Sequence, residues 1–213
     1  VFATEVPASR NSIVSLDGSG RMRPLVPGEG VRSFRFSPDG HRGVFWLPPQ
    51  GLWMYDLERD TRSRLTASVD VNVVWTRDGQ HILFTTRDAR RDGISVVRAD
   101  GAGDVVSLLD QRGALFGLSI SPDGTRLAFG EQASGNTDLW TLPIDLTGDT
   151  PRKTGEPQVY LRTPSKEEKP TFSPDGRWLA YESDESGQPE VYVRRYPGPG
   201  GKWQISSDGE QDG

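Results

Sequence analysis

The chain has 213 residues, 33% of them hydrophobic, with 25 Gly, 16 Pro and a formal net charge of −5. That much Gly and Pro disfavours a helix bundle, while 6 Trp, 8 Phe and 5 Tyr argue against disorder, and no apolar run nears the ~20 residues of a transmembrane helix. The absence of Cys, only 2 His and the lack of a basic block speak against disulfides, thiol chemistry, a metal site built on His and nucleic-acid binding.

Residues 1–5 carry neither an initiator Met nor an apolar leader, so the chain reads as cut from a longer protein. Residues 2–3 read as the tail of a second strand, 12–16 as a third strand and 23–26 as a fourth. A tetrapeptide then sets a period. Ser37-Pro38-Asp39-Gly40 returns as Thr76-Arg77-Asp78-Gly79, Ser121-Pro122-Asp123-Gly124 and Ser173-Pro174-Asp175-Gly176, at steps of 39, 45 and 52 residues. A bulky apolar residue precedes each copy (Phe36, Trp75, Ile120, Phe172), and an aromatic follows each Gly by five residues (Phe45, Phe84, Phe129, Tyr181). Asp-Gly suits a tight hairpin, because Gly accepts positive φ and Asp can bond the turn backbone. Each unit therefore opens strand, turn, strand.

A third strand follows in each unit, at 52–55, 94–97, 139–142 and 191–193, and a fourth at 64–66, 105–108, 159–161 and 203–205. The longest step is absorbed by residues 143–157, which read as an enlarged turn between third and fourth strands. Four antiparallel strands in ~45 residues, repeated, is the pattern of a β-propeller blade. The expected fold is all-β: a partial blade over 1–28, then four complete blades over about 29–68, 69–110, 111–163 and 164–208, in an incomplete ring.

With the run from Pro170 through Gly176 to Ala180-Tyr181, the last unit resembles the TolB-like propellers, whose blades carry P-x-F-S-P-D-G-x-x-[LIV]-A-[FY]. The unit at Ser121 fits nearly as well; the unit at Thr76 keeps only Asp-Gly, and the first unit has Gly43-Val44 where Leu-Ala is usual. The resemblance implies a six-bladed ring in the complete family member and a scaffold for protein or peptide partners. The run from Tyr196 to Ser206 is also similar to propellers fused to bacterial Ser/Thr kinases or regulators, which implies a sensor region of a larger bacterial protein, periplasmic or extracytoplasmic.

The residues themselves offer little catalytic chemistry. His41 and His81 fall one and two residues past a repeat Gly and read as exposed turn residues. Ser37, Ser121 and Ser173 recur with the repeat and read as turn caps; no nucleophile elbow, phosphate loop or dinucleotide fingerprint is present. Asp39, Asp78, Asp123 and Asp175 are equivalent turn residues with a structural role. Asp184-Glu185, with Glu190, form an acidic hairpin whose spacing does not match a calcium loop. The connection Lys166-Glu167-Glu168-Lys169, together with Asp184 and Glu185, is the candidate recognition surface.

The expected function is a non-catalytic propeller that binds a protein or peptide, with no cofactor and no membrane insertion. The alternative implied by resemblance is the substrate-gating propeller of a prolyl-oligopeptidase-type peptidase. Open blade edges also make self-association an expectation.

Overall fold

The computed structural model describes residues 13–16, 18–26, 30–67, 72–87, 92–111, 113–133, 135–148, 151–198 and 200–206. Within these residues the structure is all-β. A two-stranded ribbon, β1 (Ile13–Leu16) and β2 (Met22–Val26), precedes four antiparallel sheets. The first sheet is β3 (Ser33–Phe36), β4 (Arg42–Leu47), β5 (Gly51–Asp56) and β6 (Thr61–Thr66). The second is β7 (Val73–Trp75), β8 (His81–Arg87), β9 (Asp92–Arg98) and β10 (Val106–Gln111). The third is β11 (Leu115–Ile120), β12 (Arg126–Ala133) and β13 (Asn136–Asp145), to which both β14 (Arg152–Lys153) and β15 (Gln158–Leu161) pair. The fourth is β16 (Glu167–Phe172), β17 (Trp178–Ser183), β18 (Glu190–Arg195) and β19 (Lys202–Gln204). Each sheet runs in chain order, as propeller blades do. Residues 2–3, read from sequence as a strand tail, lie outside the described residues.

The same hydrogen-bonded lock closes the first hairpin of all four sheets. In the third, Gly124 N donates to Ser121 O at 2.8 Å, with Gly124 at φ 74. Ser121 Oγ donates to Asp123 Oδ1 at 2.5 Å and accepts from Arg126 N at 2.9 Å, while Thr125 N donates to Asp123 Oδ1 at 3.1 Å. Thr76 replaces Ser in the second sheet and makes the same bonds, to Asp78 at 2.6 Å and from His81 N at 2.9 Å. These bonds hold the carboxylates of Asp39, Asp123 and Asp175 below the usual range, the Ser hydroxyls contributing most, and Asp175 falls to about 2. Asp78 is also lowered: burial works against it, but the Thr76 hydroxyl and the Gln80 amide outweigh that cost.

Strand alternation then gives each sheet two apolar faces. In β8, Ile82 and Phe84 pack on the first sheet's Val44, Leu52 and Met54, while Leu83 turns the other way to join Leu127 and Phe129. In β12, Leu127 and Phe129 face the second sheet, and Ala128 lies under Leu179 and Tyr181 of the fourth. Ile13 of the ribbon packs on Phe45 and Leu47 in the same way. Each such large side chain contributes about 1.5–3 kcal/mol on burial. The core is thus four clusters between successive sheets.

Along the inner edge the first strands are tied directly. Trp75 Nε1 donates to Arg35 O at 3.1 Å, Gly117 N to Asn72 Oδ1 at 3.1 Å, and Phe172 N to Ser119 Oγ at 3.0 Å. At Gly117 (φ 62) an added Cβ would lie 2.8 Å from Lys169 Cα, so this contact requires glycine. Among the described residues, nothing covers the outer face of the fourth sheet. Ala128 and Leu139 are wholly buried, whereas Trp203 and Ile205 are 49% and 63% exposed. They line an apolar groove of about 550 Å³ with Trp178, Ala180 and Val193.

Two sequence expectations need correction. Residues 143–157 are not simply an enlarged turn: β13 continues to Asp145 and β14 pairs back onto it, Ile144 opposite Lys153. Burial of Ile144 and an Arg152–Asp145 ion pair at 2.5 Å hold this extension in register. His81 is not exposed. It is the first residue of β8, 2% exposed, and neither ring nitrogen has a hydrogen-bond partner. Arg42, Arg126 and Trp178, at the same repeat position, are likewise partly buried. His41, one residue earlier, does stay in the turn and contacts Glu58 at 2.9 Å.

Replacing Ser121 by Ala removes the acceptor for Arg126 N and the donor to Asp123. We expect a loss of about 1 kcal/mol in chemical denaturation. Because the lock lowers its carboxylates, wild-type stability should also fall as pH drops from about 4 towards 2, since the unfolded chain takes up protons first.

Candidate functional site

Strand polarity brings three segments to one end of the third and fourth sheets: the β12–β13 hairpin, the 162–166 connection and the β17–β18 hairpin. Glu131 and Asp138 are directly opposed across β12–β13, both only 9% exposed. Like charges in that position repel. Arg162 is the counterion, its Nε 2.6 Å from Asp138 Oδ2 and its guanidinium 5.5 Å from the Trp140 ring centre. Burial, then Asp138, pushes the Glu131 carboxyl up, with Arg162 pulling the other way.

The connection enters the fourth sheet beside this pair. Asn136 Nδ2 holds Thr163 O at 2.7 Å, and the Thr163 hydroxyl donates to Glu167 Oε1. Glu167 opens β16, opposite Ser183, and is fully buried. Its Oε2 has no hydrogen-bond partner. Burial lifts its carboxyl to about 7 against the pull of the Thr163 hydroxyl, and Asp138, Glu185 and Asp184 lift it further.

The residues singled out in sequence take different roles. Glu168 is partly buried and its Oε1 accepts weakly from Thr137 Oγ1 at 3.4 Å. Lys166 is exposed, and its amide donates to Asp184 Oδ1 at 2.9 Å, joining the connection to the β17–β18 turn. Lys169, at φ 51 in a bulge, pairs with Glu182 at 2.7 Å. Glu185 pairs with Lys202. Glu190 is buried and accepts from Gln188 Nε2 at 2.8 Å and from the Ser206 hydroxyl. The acidic hairpin is therefore dispersed among separate partners.

Glu131, Asp138, Arg162 and Thr163 were not legible as site residues. The one signal was symmetry: residues 131 and 138 flank the Gly135 turn at positions a hairpin would pair. Two carboxyls of raised proton affinity result, Glu131 beside the Arg162–Asp138 pair and Glu167 at the start of the fourth sheet.

No family model matches the sequence. Solved structures do match the fold. TolB from Acinetobacter baumannii superposes with a TM-score of 0.76 at 18% identity, over 94% of this chain and 50% of that one. A putative TolB from Agrobacterium tumefaciens gives 0.76 at 17% identity, over 94% and 71%. This chain has the TolB propeller fold. A puromycin-hydrolyzing peptidase of Mycobacterium tuberculosis shares it with a TM-score of 0.71 at 18% identity, over 97% of this chain and 38% of the peptidase. The chain thus spans half the length of the Acinetobacter TolB and less of the peptidase.

Glu167→Gln removes a carboxyl that the folded state keeps protonated longer than the unfolded state. Wild-type stability should decline as pH rises from about 4.5 to about 7 because the folded chain holds the extra proton there. The variant should lack that decline and be more stable at pH 8 in chemical denaturation, by on the order of 2 kcal/mol.

Proposed function

We propose that this TolB-type propeller is a non-catalytic binding scaffold that recognises a protein or peptide at the loop end formed by residues 131–138, 162–168 and 184–190. The supporting observation is convergence. Three separate segments deliver polar side chains to one end of rigid sheets, and Lys166 N to Asp184 Oδ1 at 2.9 Å ties two of them together. Binding surfaces on propellers need such loops held by a stiff frame. The likeness to TolB and the sequence resemblance favour an extracytoplasmic sensor region of a larger bacterial protein.

A second reading, the substrate gate of a prolyl-oligopeptidase-type enzyme, is favoured by the fold shared with the Mycobacterium peptidase. It requires a hydrolase domain joined to this propeller.

Crosslinked capture from a bacterial extract tests the loop-end reading. Wild type should recover a discrete partner, and Glu168→Lys with Asp184→Lys should lose it at least tenfold. Equal recovery by both proteins overturns the assignment. The uncovered groove at Trp203 and Ile205 supports self-association of this chain. Light scattering across a hundredfold concentration range should show mass rising above the monomer, and Trp203→Glu should restore the monomer.

A further inference from the structure

We propose that this chain associates head to tail, the open face of the fourth sheet in one copy receiving the β1–β2 ribbon of a second copy. This rests on the self-association reading and adds which two surfaces meet.

Inside the chain one kind of contact repeats. The residue four past each repeat Gly, with its partner on the third strand, faces the following sheet. These pairs are Val44 with Met54, Leu83 with Val96 and Ala128 with Thr141, all at most 5% exposed. The residue three past Gly turns the opposite way, so Ile82, Leu127 and Leu179 pack on the preceding sheet. Every contact between described sheets thus joins a forward face to a backward face. In the fourth sheet the forward pair is Ala180 with Val193, and among the described residues nothing lies over it. Trp203, the partner of Val193 on β19, and Ile205 beyond it complete that face. Apart from Thr171 and Ser173, the groove is lined by apolar and aromatic side chains, so it selects an apolar insert.

The ribbon carries the matching backward face. Ile13 packs on the first sheet, so strand alternation turns Val14 and Leu16 to the other side. Their partners across the ribbon, Pro24 and Met22, share that side. Leu16 is 44% exposed and Met22 65%. The repeat shows what such a face does elsewhere. Leu16-Asp17-Gly18-Ser19-Gly20 has the pattern of Ala99-Asp100-Gly101-Ala102-Gly103. Ala99 is 3% exposed and packs on the first sheet, in a cluster that includes Leu65 of the outermost strand β6. A Cβ at Gly101 would lie 3.7 Å from Leu65 Cδ2. By repeat, then, Leu16 has the position of a residue that inserts over the outer strands of the sheet before it. Val193, Trp203 and Ile205 are on the outer strands of the fourth sheet, where the groove is most open.

A second copy therefore continues an interface that the chain already makes between its own sheets. The two faces differ, so the contact is heterologous. Copies joined this way close into a ring if the rotation allows and otherwise run on as a filament. A groove-to-groove dimer would pair two forward faces, which happens nowhere among the described sheets.

The test uses two variants of the intact chain, Trp203→Glu in the groove and Met22→Lys in the ribbon. Both replaced side chains are exposed, and circular dichroism checks that each variant is folded. In light scattering each variant alone should stay monomeric at concentrations where wild type associates. Mixed in equal amounts, the two should form a species of two chains and nothing larger, because one sound groove and one sound ribbon remain. The chain contains no Cys, so introduced cysteines report the contact without adding charge. Met22→Cys mixed with Ile205→Cys should crosslink through a short bismaleimide at least tenfold more than either variant alone. A groove-to-groove dimer gives the reverse: Met22→Lys associates as wild type does, and Ile205→Cys crosslinks with itself. Either of those results, or a mixture of Trp203→Glu and Met22→Lys that stays monomeric while wild type associates, overturns the head-to-tail assignment and leaves self-association standing. Wild type that stays monomeric throughout, with no crosslink, removes both.

Discussion

The hydroxyl of Ser37, Thr76, Ser121 or Ser173 accepts the amide five residues on, and the rest of the stack depends on that bond. It closes the turn from inside while the neighbouring Asp binds the hydroxyl and the amide beyond Gly. With the turn length fixed, the register of the first two strands is fixed. A slip of one residue would send every apolar side chain to the wrong face. Phe129 faces the second sheet and Ala128 the fourth only because Ser121 holds Arg126 where it does.

That register also sets what happens at the other end of the strands. The apolar alternation ends at Glu131 in β12 and at Ser183 in β17, and the partner strands begin with Asp138 and Glu190 nearby. Carboxylates thus stand where the core gives way to the loops. In the fourth sheet each acid there finds a donor or a cation, as Glu190 and Glu185 do. In the third sheet Arg162 pairs with Asp138, directly opposite Glu131, and in the fourth Glu167 keeps one oxygen without a hydrogen-bond partner. The candidate site is the seam where local hydrogen bonding is incomplete.

What could be read from the residues follows the range of the interactions. The turn, the strands beside it and the four-strand period are local chemistry, so Ser-Pro-Asp-Gly and its flanking aromatics announced them. The connection at Lys166–Lys169 and the turn at Asp184-Glu185 could be named as surface loops, because they lie between strands. The burial of Glu167 could not, since it depends on how β16 settles against the third sheet. The same holds for His81, an ordinary turn neighbour in sequence, which register turns inward. The extension of β13 to Asp145 escaped notice because Pro143 and the following Asp, Thr and Gly look like a loop until Ile144 is seen in the core.

The two-faced sheets have a consequence for how the molecule comes apart. Every cluster joins only adjacent sheets, so stability is shared along a line and not around a common centre. Among the described residues, the first three sheets are clasped on both sides and the fourth on one side alone. Loosening should therefore begin at an end and travel inward a blade at a time. Removing the fourth sheet would bare Ala128 and Leu139 much as Ala180 and Val191 are bared now. In hydrogen exchange, the amides of β8 and β12 would be the last to open.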